Sequence, residues 1–357
     1  MSVTEATQST QSTQSTQATE RIRIADNCTV RPLLKWAGGK RQLLPALEPY
    51  YPLTFERYLE PFVGSGAVFF HLASAGLLDG RTVTLSDINA DLIGCYRAVR
   101  DEPESVIASL QALEREHRRR GDACYYDVRD ERFNPLRAAR ANDANPAAAA
   151  SAYPPELAAM LIFLNRTGFN GLFRLNRLGE FNVPAGRYRD PRICDPEHIH
   201  AVAAVLRRRG VAIEYRGFED ALGDAGKGDF VYCDPPYAPL SRTSSFANYT
   251  AAGFAALDQQ RLLQAVVRAC RRGARVVMSN SSAPEIESAY QTRAARQVKI
   301  AVHRVPARRA INSRASSRGP VDELIITNVR ATALAAVRPR MAKASGLRAQ
   351  ATGLVKA

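Results

Sequence analysis

The sequence predicts an α/β protein built on a doubly wound, largely parallel sheet, and three observations carry that expectation. Short apolar segments read as buried strands that end in turn or polar residues: Arg57 to Pro61, Arg81 to Asp87, and Asp229 to Cys233. A fourth, Ala274 to Asn280, follows a segment in which Leu262, Leu263, Val266, Val267 and Cys270 recur at helical spacing before Gly273 ends it. A Gly-x-Gly turn, Gly64-Ser65-Gly66, joins the first strand to the helical pattern Ala67-Val68-Phe69-Phe70-His71-Leu72. Strands alternating with amphipathic helices give a doubly wound sheet, in which ligands sit at the carboxyl ends of the strands.

Composition narrows the partners. The 357 residues are 46% hydrophobic and 24% charged, which excludes a wholly disordered chain. Lys and Arg number 49 against 35 Asp and Glu, a net charge of +14, so a polyanion is the economical partner because each cation set on a phosphate releases a counterion. A plain solubility charge is the alternative. The six cysteines are scattered without a C-x-x-C pair, which indicates neither a zinc site nor a disulfide frame. No apolar run approaches a membrane span, and the first twenty residues lack the start of a secretory signal, so the expected address is the cytoplasm.

The ends differ from the middle. Residues 1–30 form an expected disordered leader with Gln-Ser-Thr repeats, and residues 331–357 a loose basic tail rich in Ala. Residues 90–195 are helical and charged, with an Ala-Asn-Pro-Ala stretch (141 to 152) expected as a loop or insertion. They read as a domain inserted into a catalytic domain of residues 31–89 and 196–330.

Two stretches point to a nucleoside ligand. At the first strand end, Phe62-Val63-Gly64-Ser65-Gly66 lets backbone approach a ligand closely, and Asp87 closes the next strand where a carboxylate can accept from ribose hydroxyls. The third glycine of a dinucleotide fingerprint is missing, since Phe69 stands there, so a nucleoside without a pyrophosphate fits better than NAD. Upstream, Trp36-Ala37-Gly38-Gly39-Lys40 is not a P-loop: Leu34 stands where Gly is needed and Arg41 where Ser or Thr is needed. Trp36 taken alone reads as a core ring, whereas Lys40 beside two glycines reads as facing a ligand.

The reaction centre follows the third strand, at Asp234-Pro235-Pro236-Tyr237. An exocyclic purine amine is a poor nucleophile because its lone pair is delocalised into the ring. Asp234 and the Pro235 carbonyl can accept its two N–H hydrogens, drawing the nitrogen toward tetrahedral geometry so that it can attack a methyl sulfonium. Tyr237 offers a face for an extruded base.

These motifs occur in a recognisable order: Leu-Lys-Trp-Ala-Gly-Gly-Lys (34 to 40), Glu-Pro-Phe-Val-Gly-Ser-Gly (60 to 66), Ser-Asp-Ile-Asn (86 to 89), Leu-Asn-Arg-Thr-Gly-Phe-Asn-Gly-Leu-Phe-Arg (164 to 174), Gly-Glu-Phe-Asn-Val-Pro-Ala-Gly-Arg-Tyr (179 to 188), and Val-Tyr-Cys-Asp-Pro-Pro-Tyr (231 to 237). Over about residues 31 to 330 the chain resembles the Dam family of DNA adenine-N6 methyltransferases. The resemblance implies a Rossmann-like methyltransferase sheet with an inserted, mainly helical target-recognition domain carrying a β-hairpin. It implies S-adenosyl-L-methionine as methyl donor, contacted by Trp36, Lys40, Phe62, Gly64, Gly66, Asp87 and Asp234, and no metal. Asp234 is then shared with the target amine.

The segment from Asn165 to Tyr188 reads by itself as a hairpin with a Gly-bearing turn, its first arm alternating Leu172 and Arg174 against Phe173 and Leu175. A hairpin can enter a major groove, where Arg grips guanine by two hydrogen bonds and an apolar side chain touches a thymine methyl. The resemblance assigns guanine to Arg174, thymine to Leu172 and Pro184, and the outer guanine to Lys35. It places Phe169 and Asn170 around the vacated stack and Arg166 among the DNA contacts. Phe169 stands where the family usually has Tyr, so the stacking face is kept and a hydroxyl lost. GATC in double-stranded DNA is the expected target. Arg308, Arg309, Arg314 and Arg318 are expected at the DNA backbone, and Ser241 to Thr250 as a lid. A monomer is expected, alone or paired with a cognate restriction endonuclease. An amine of cytosine or RNA as acceptor, and a DNA-binding protein without catalysis, remain the rival readings.

Overall fold

The computed structural model describes residues 30–36, 40–141, 146–237, 254–308 and 320–332. The expected leader, lid and most of the basic tail, with Arg309, Arg314 and Arg318, lie outside the described residues.

Seven strands form one sheet: β1 (Arg57–Glu60), β2 (Thr82–Asp87), β3 (Val211–Tyr215), β4 (Asp229–Cys233), β5 (Arg275–Ser281), β6 (Ala301–Arg308) and β7 (Pro320–Thr327), in the order β3-β2-β1-β4-β5-β7-β6. The first five are parallel, whereas β7 runs antiparallel to both β5 and β6. Strand order reverses between β1 and β4, so their carboxyl ends flank the crevice in which a doubly wound sheet takes its ligands. The four strands expected from sequence are present, shifted by a residue or less at their ends. Three others, β3, β6 and β7, went unforeseen. Only the middle residue of β3 is buried, and β6 is an edge strand carrying Arg304 and Pro306, so neither has a strong apolar signature.

The centre of the sheet is buried on both faces. Phe230 and Tyr232 of β4 enter one apolar cluster, while Val231 and Cys233 enter the other. The second cluster is closed by Leu262, Val266 and Cys270, from the helix Ala256–Arg271. At the far end of β4 Arg57 grips Asp229 at 2.7 Å, locking the register of β1 on β4.

Helix α1 (Ala67–Ser74) leaves the glycine turn, and the crossover from β2 to β3 is expanded. It holds α2 (Ala90–Asp101), α3 (Pro103–Arg120), α4 (Pro155–Thr167) and α5 (Pro196–Leu206). Their residues Leu92, Leu110, Phe163 and Ile199 share one continuous cluster with Leu85 and Phe230 of the sheet, so these helices pack onto it without a break. Two expectations need correction. Residues Pro146–Ser151 are helical, not a loop: alanine favours helix, and Pro146 occupies the first turn, where its missing N–H is harmless. The hairpin is also looser than a regular ladder, for only Leu175 with Phe181 and Gly168 with Ala185 form bridges. The Asn176 side chain accepts from the N–H groups of Leu178 and Glu180 and closes the turn locally, while Phe173 and Phe181 hold the arms by packing.

No helix among the described residues is long and apolar enough to cross a membrane. Phe230 lies fully buried against Tyr51, Phe55 and Tyr58, with ring centroids 5.3 to 5.8 Å apart. Phe230→Ala therefore costs about 3–5 kcal/mol of stability, measurable by denaturant unfolding.

Candidate active site

The site is built at the carboxyl ends of β2, β1 and β4. After β1 the chain turns through Gly64 and Gly66, both in the left-handed region at φ +46° and +65°. A Cβ at position 64 would stand 3.1 Å from the Trp36 indole, so glycine here allows the ring to lie against the turn. Asp87 ends β2 and fastens the turn, its carboxylate accepting the Gly64 N–H at 3.2 Å and the Asn89 N–H at 3.0 Å. Burial pushes the Asp87 carboxyl up to about 6, while these N–H groups favour its charged form. Tyr96 donates its hydroxyl to the Gly64 carbonyl at 2.9 Å, and Phe62 stacks on Phe218 with centroids 5.4 Å apart.

Beyond β4, Asp234 is held by two donors at one oxygen. Lys40 Nζ lies 2.9 Å from Oδ1, and the Ser279 hydroxyl donates to the same atom at 2.9 Å. Ser279 also lies 2.9 Å from the Tyr232 hydroxyl. Burial raises the Asp234 carboxyl to about 6, against the pull of Lys40 and Ser279 toward the charged form. The Pro236 carbonyl accepts from Gln259, whose own carbonyl oxygen accepts from Asn280, so the Pro-Pro turn is pinned from the neighbouring helix and strand. Tyr237 donates its hydroxyl to Glu323 at 2.7 Å, and the Lys40 ammonium sits 4.2 Å from the centre of its ring. Nearby Glu60 is buried and accepts from the Tyr58 hydroxyl; burial raises its carboxyl to about 8, leaving it neutral near pH 7.

Asp234, Lys40 and Tyr237 thus meet as one cluster, while Phe62, Gly64 and Asp87 form the adjoining wall. Ser279, Gln259, Glu60 and Glu323 were not foreseen. Glu60 stands at the head of the motif of residues 60 to 66, and Glu323 just ahead of the apolar run Leu324-Ile325-Ile326.

The recognition segment is fastened to this site by buried Asn165. Its side chain accepts the Lys35 N–H at 2.8 Å and donates to the carbonyls of Lys35 and Gly171 at 2.7 and 3.0 Å. Gly171, at φ +62°, leaves no space for a side chain, since a Cβ would stand 2.5 Å from that of Lys35. Trp36 stacks on Phe173 at 5.6 Å, so the ring that lies on the glycine turn also touches the hairpin. Lys35 is exposed, with its ammonium 4.5 Å from the Tyr188 ring centre. Phe169 is 47% exposed, beside Asn170 in the left-handed conformation that Asn tolerates. Leu172 is half-buried and Pro184 exposed. Arg174 reaches across the hairpin to the side chain and carbonyl of Asn182. Arg166, expected at the DNA, instead turns inward: it donates to the Leu33 carbonyl at 2.9 Å, and it braces the chain leading to Lys35.

A doubly wound sheet with an acidic Pro-Pro turn at its switch point, and a hairpin segment tied to the same crevice, defines the class as an α/β protein that takes its ligand at the carboxyl ends of the strands. A profile of the D12 class N6 adenine-specific DNA methyltransferases matches residues 36–311. The chain is 38% identical over 303 residues to the Type II methyltransferase M1.LlaDCHI of Lactococcus lactis subsp. cremoris, covering 84% of this chain and 95% of that one. It is 40% identical over 263 residues to the Type II methyltransferase M.MjaIII of Methanocaldococcus jannaschii, covering 71% and 84%. With the DNA adenine methylase of Escherichia coli strain K12 it shares 33% identity over 295 residues, covering 83% and 94%. The chain belongs to the D12 class of N6 adenine-specific DNA methyltransferases.

Ser279 stabilises the ionised form of Asp234, so Ser279→Ala raises the carboxyl further. The acid limb of the methylation rate moves to higher pH, and a pH–rate profile of the variant beside the parent checks it.

Proposed function

We propose that the protein transfers a methyl group from S-adenosyl-L-methionine to N6 of an adenine swung out of duplex DNA, within GATC. The observation that carries this reading is the placing of Asp234 beside the Tyr237 ring at the end of β4, with one carboxylate oxygen tied to Lys40 and Ser279.

The residues at the β1 and β2 ends fit the donor. A glycine turn with two left-handed residues brings backbone close to a ligand, and the Asp87 carboxylate has lone pairs beyond those used by Gly64 and Asn89 to accept ribose hydroxyls. Trp36 and Phe62 supply flat apolar surface on either side of that turn, and Lys40 a cation suited to an amino-acid carboxylate. When bound, the sulfonium supplies an electrophilic methyl group.

At the other side of the crevice, Oδ2 of Asp234 and the Pro235 carbonyl accept the two amine hydrogens, and Tyr237 stacks the base. Transfer leaves a strongly acidic cationic nitrogen, which loses its proton readily, so positioning and hydrogen bonding supply the rate. Asp234 works ionised, and its pKa of about 6 gives the rate an acid limb: activity falls about tenfold per pH unit below that value and levels off above it.

On the DNA side, the exposed Lys35 and Pro184 and the half-buried Leu172 and Arg174 line the arm expected to read the groove. Arg174 would exchange its Asn182 bonds for guanine, and Phe169 with Asn170 would fill the gap left by the base. One copy carries cofactor turn, carboxylate and reader, so a monomer suffices, acting where cellular DNA lies, in the cytoplasm. The Type II names of the two relatives of higher identity favour a second reading, a modification enzyme paired with an endonuclease and reading another sequence.

Expression in a host without adenine methylation, followed by mapping of modified bases, tests both: methylated GATC supports the first, another motif the second, and unmodified DNA despite folded protein refutes the activity. Asp234→Ala abolishes methylation and leaves duplex binding within about twofold in a gel-shift titration. Arg174→Ala relaxes the preference for guanine at one base pair by about 1–3 kcal/mol, read from competition between cognate and substituted duplexes.

A further inference from the structure

Tyr237 stands at the end of a turn, and its ring needs an anchor if it is to present a fixed face. Two contacts fix it: the Lys40 ammonium on the ring, and the bond from its hydroxyl to Glu323 Oε2 at 2.7 Å. The second anchor is the stiffer one. Glu323 sits in β7, paired with Ser281 of β5 on one side and Val305 of β6 on the other, so both neighbouring strands hold its backbone. The phenol is raised well above its ordinary value, by burial first and then by Asp234 and Glu323, so the hydroxyl keeps its proton and donates. Lys40 instead ends in a long side chain whose charge is shared with Asp234.

We infer that Glu323 is a positioning residue for base capture: through the Tyr237 hydroxyl it fixes the ring as the surface on which the target adenine stacks. The antiparallel strands β6 and β7 thereby reach the reaction centre that the parallel strands build. This inference rests on the reading of Tyr237 as the stacking face.

The test is a double-mutant cycle in the full-length chain, with single-turnover methylation of a GATC duplex as the rate and gel-shift titration as the affinity. Tyr237→Phe removes the hydroxyl without touching β7, and Glu323→Ala removes its acceptor. Each should lower the rate by about tenfold with duplex affinity unchanged, and the double variant should be no slower than either. Glu323→Gln, which keeps an acceptor oxygen, should recover most of the rate. The inference is overturned if Tyr237→Phe works at the parental rate while Tyr237→Ala does not, or if Glu323→Ala costs a further tenfold in the Tyr237→Phe background. Should Tyr237→Ala itself methylate at the parental rate, the stacking role falls and not merely its anchor.

Discussion

The buried pairing of Asp234 with Lys40 is the constraint around which the rest of the site is arranged. A carboxylate withdrawn from water at a strand end is unfavourable unless charge and hydrogen bonds replace its hydration. Lys40 supplies the charge at 2.9 Å and Ser279 a second donor, yet desolvation still holds the group near 6. That balance suits an acceptor of amine hydrogens: ionised at neutral pH, but surrounded by protein dipoles that need no reorganisation when a substrate arrives. Glu60, buried in the same neighbourhood, is held near 8 by its own desolvation.

The same lysine couples the two halves of the site. Its ammonium touches both Asp234 and the Tyr237 ring, and the chain that carries it passes Lys35 and Trp36, which meet Tyr188 and Phe173 of the hairpin segment. Trp36 lies against the glycine turn on one face of the arrangement and against Phe173 of the hairpin on another. Asn165 ties the Lys35 backbone to Gly171 with three hydrogen bonds inside the protein, where leaving any of them unmade is costly. The hairpin segment is therefore not a loosely tethered module. Its position and that of the glycine turn are set by shared contacts, and the common apolar cluster from Phe230 to Phe163 makes the support continuous.

Support also arrives from β5 and β7, beyond β4 in the sheet. Ser279 on β5 and Glu323 on β7 are hydrogen-bond partners of Asp234 and Tyr237, and Asn280 and Gln259 extend the bracing to the Pro236 carbonyl. A turn containing two prolines has few N–H groups with which to anchor itself, so side chains from neighbouring elements take over that work.

The sequence by itself determined the central strands and the two turns beside them, because both depend on local features. Buried strands are continuous apolar runs, glycines mark the turn, and an acidic residue before Pro-Pro stands out wherever it is folded. It could not determine how the basic side chains of the segment from Asn165 to Tyr188 are held: Arg166 and Arg174 look alike there, yet one is bonded to the Leu33 carbonyl and the other crosses to Asn182. Nor could it reveal β3 and β6, whose half-exposed or edge positions erase the apolar pattern, while β7 offered only the short apolar run Leu324-Ile325-Ile326. The partners of the reactive groups were the most hidden. Ser279, Gln259 and Glu323 lie 23 to 86 residues from the residues they hold, and only the strand order brings them together, since hydrogen bonds between distant segments obey geometry and leave no spacing to read.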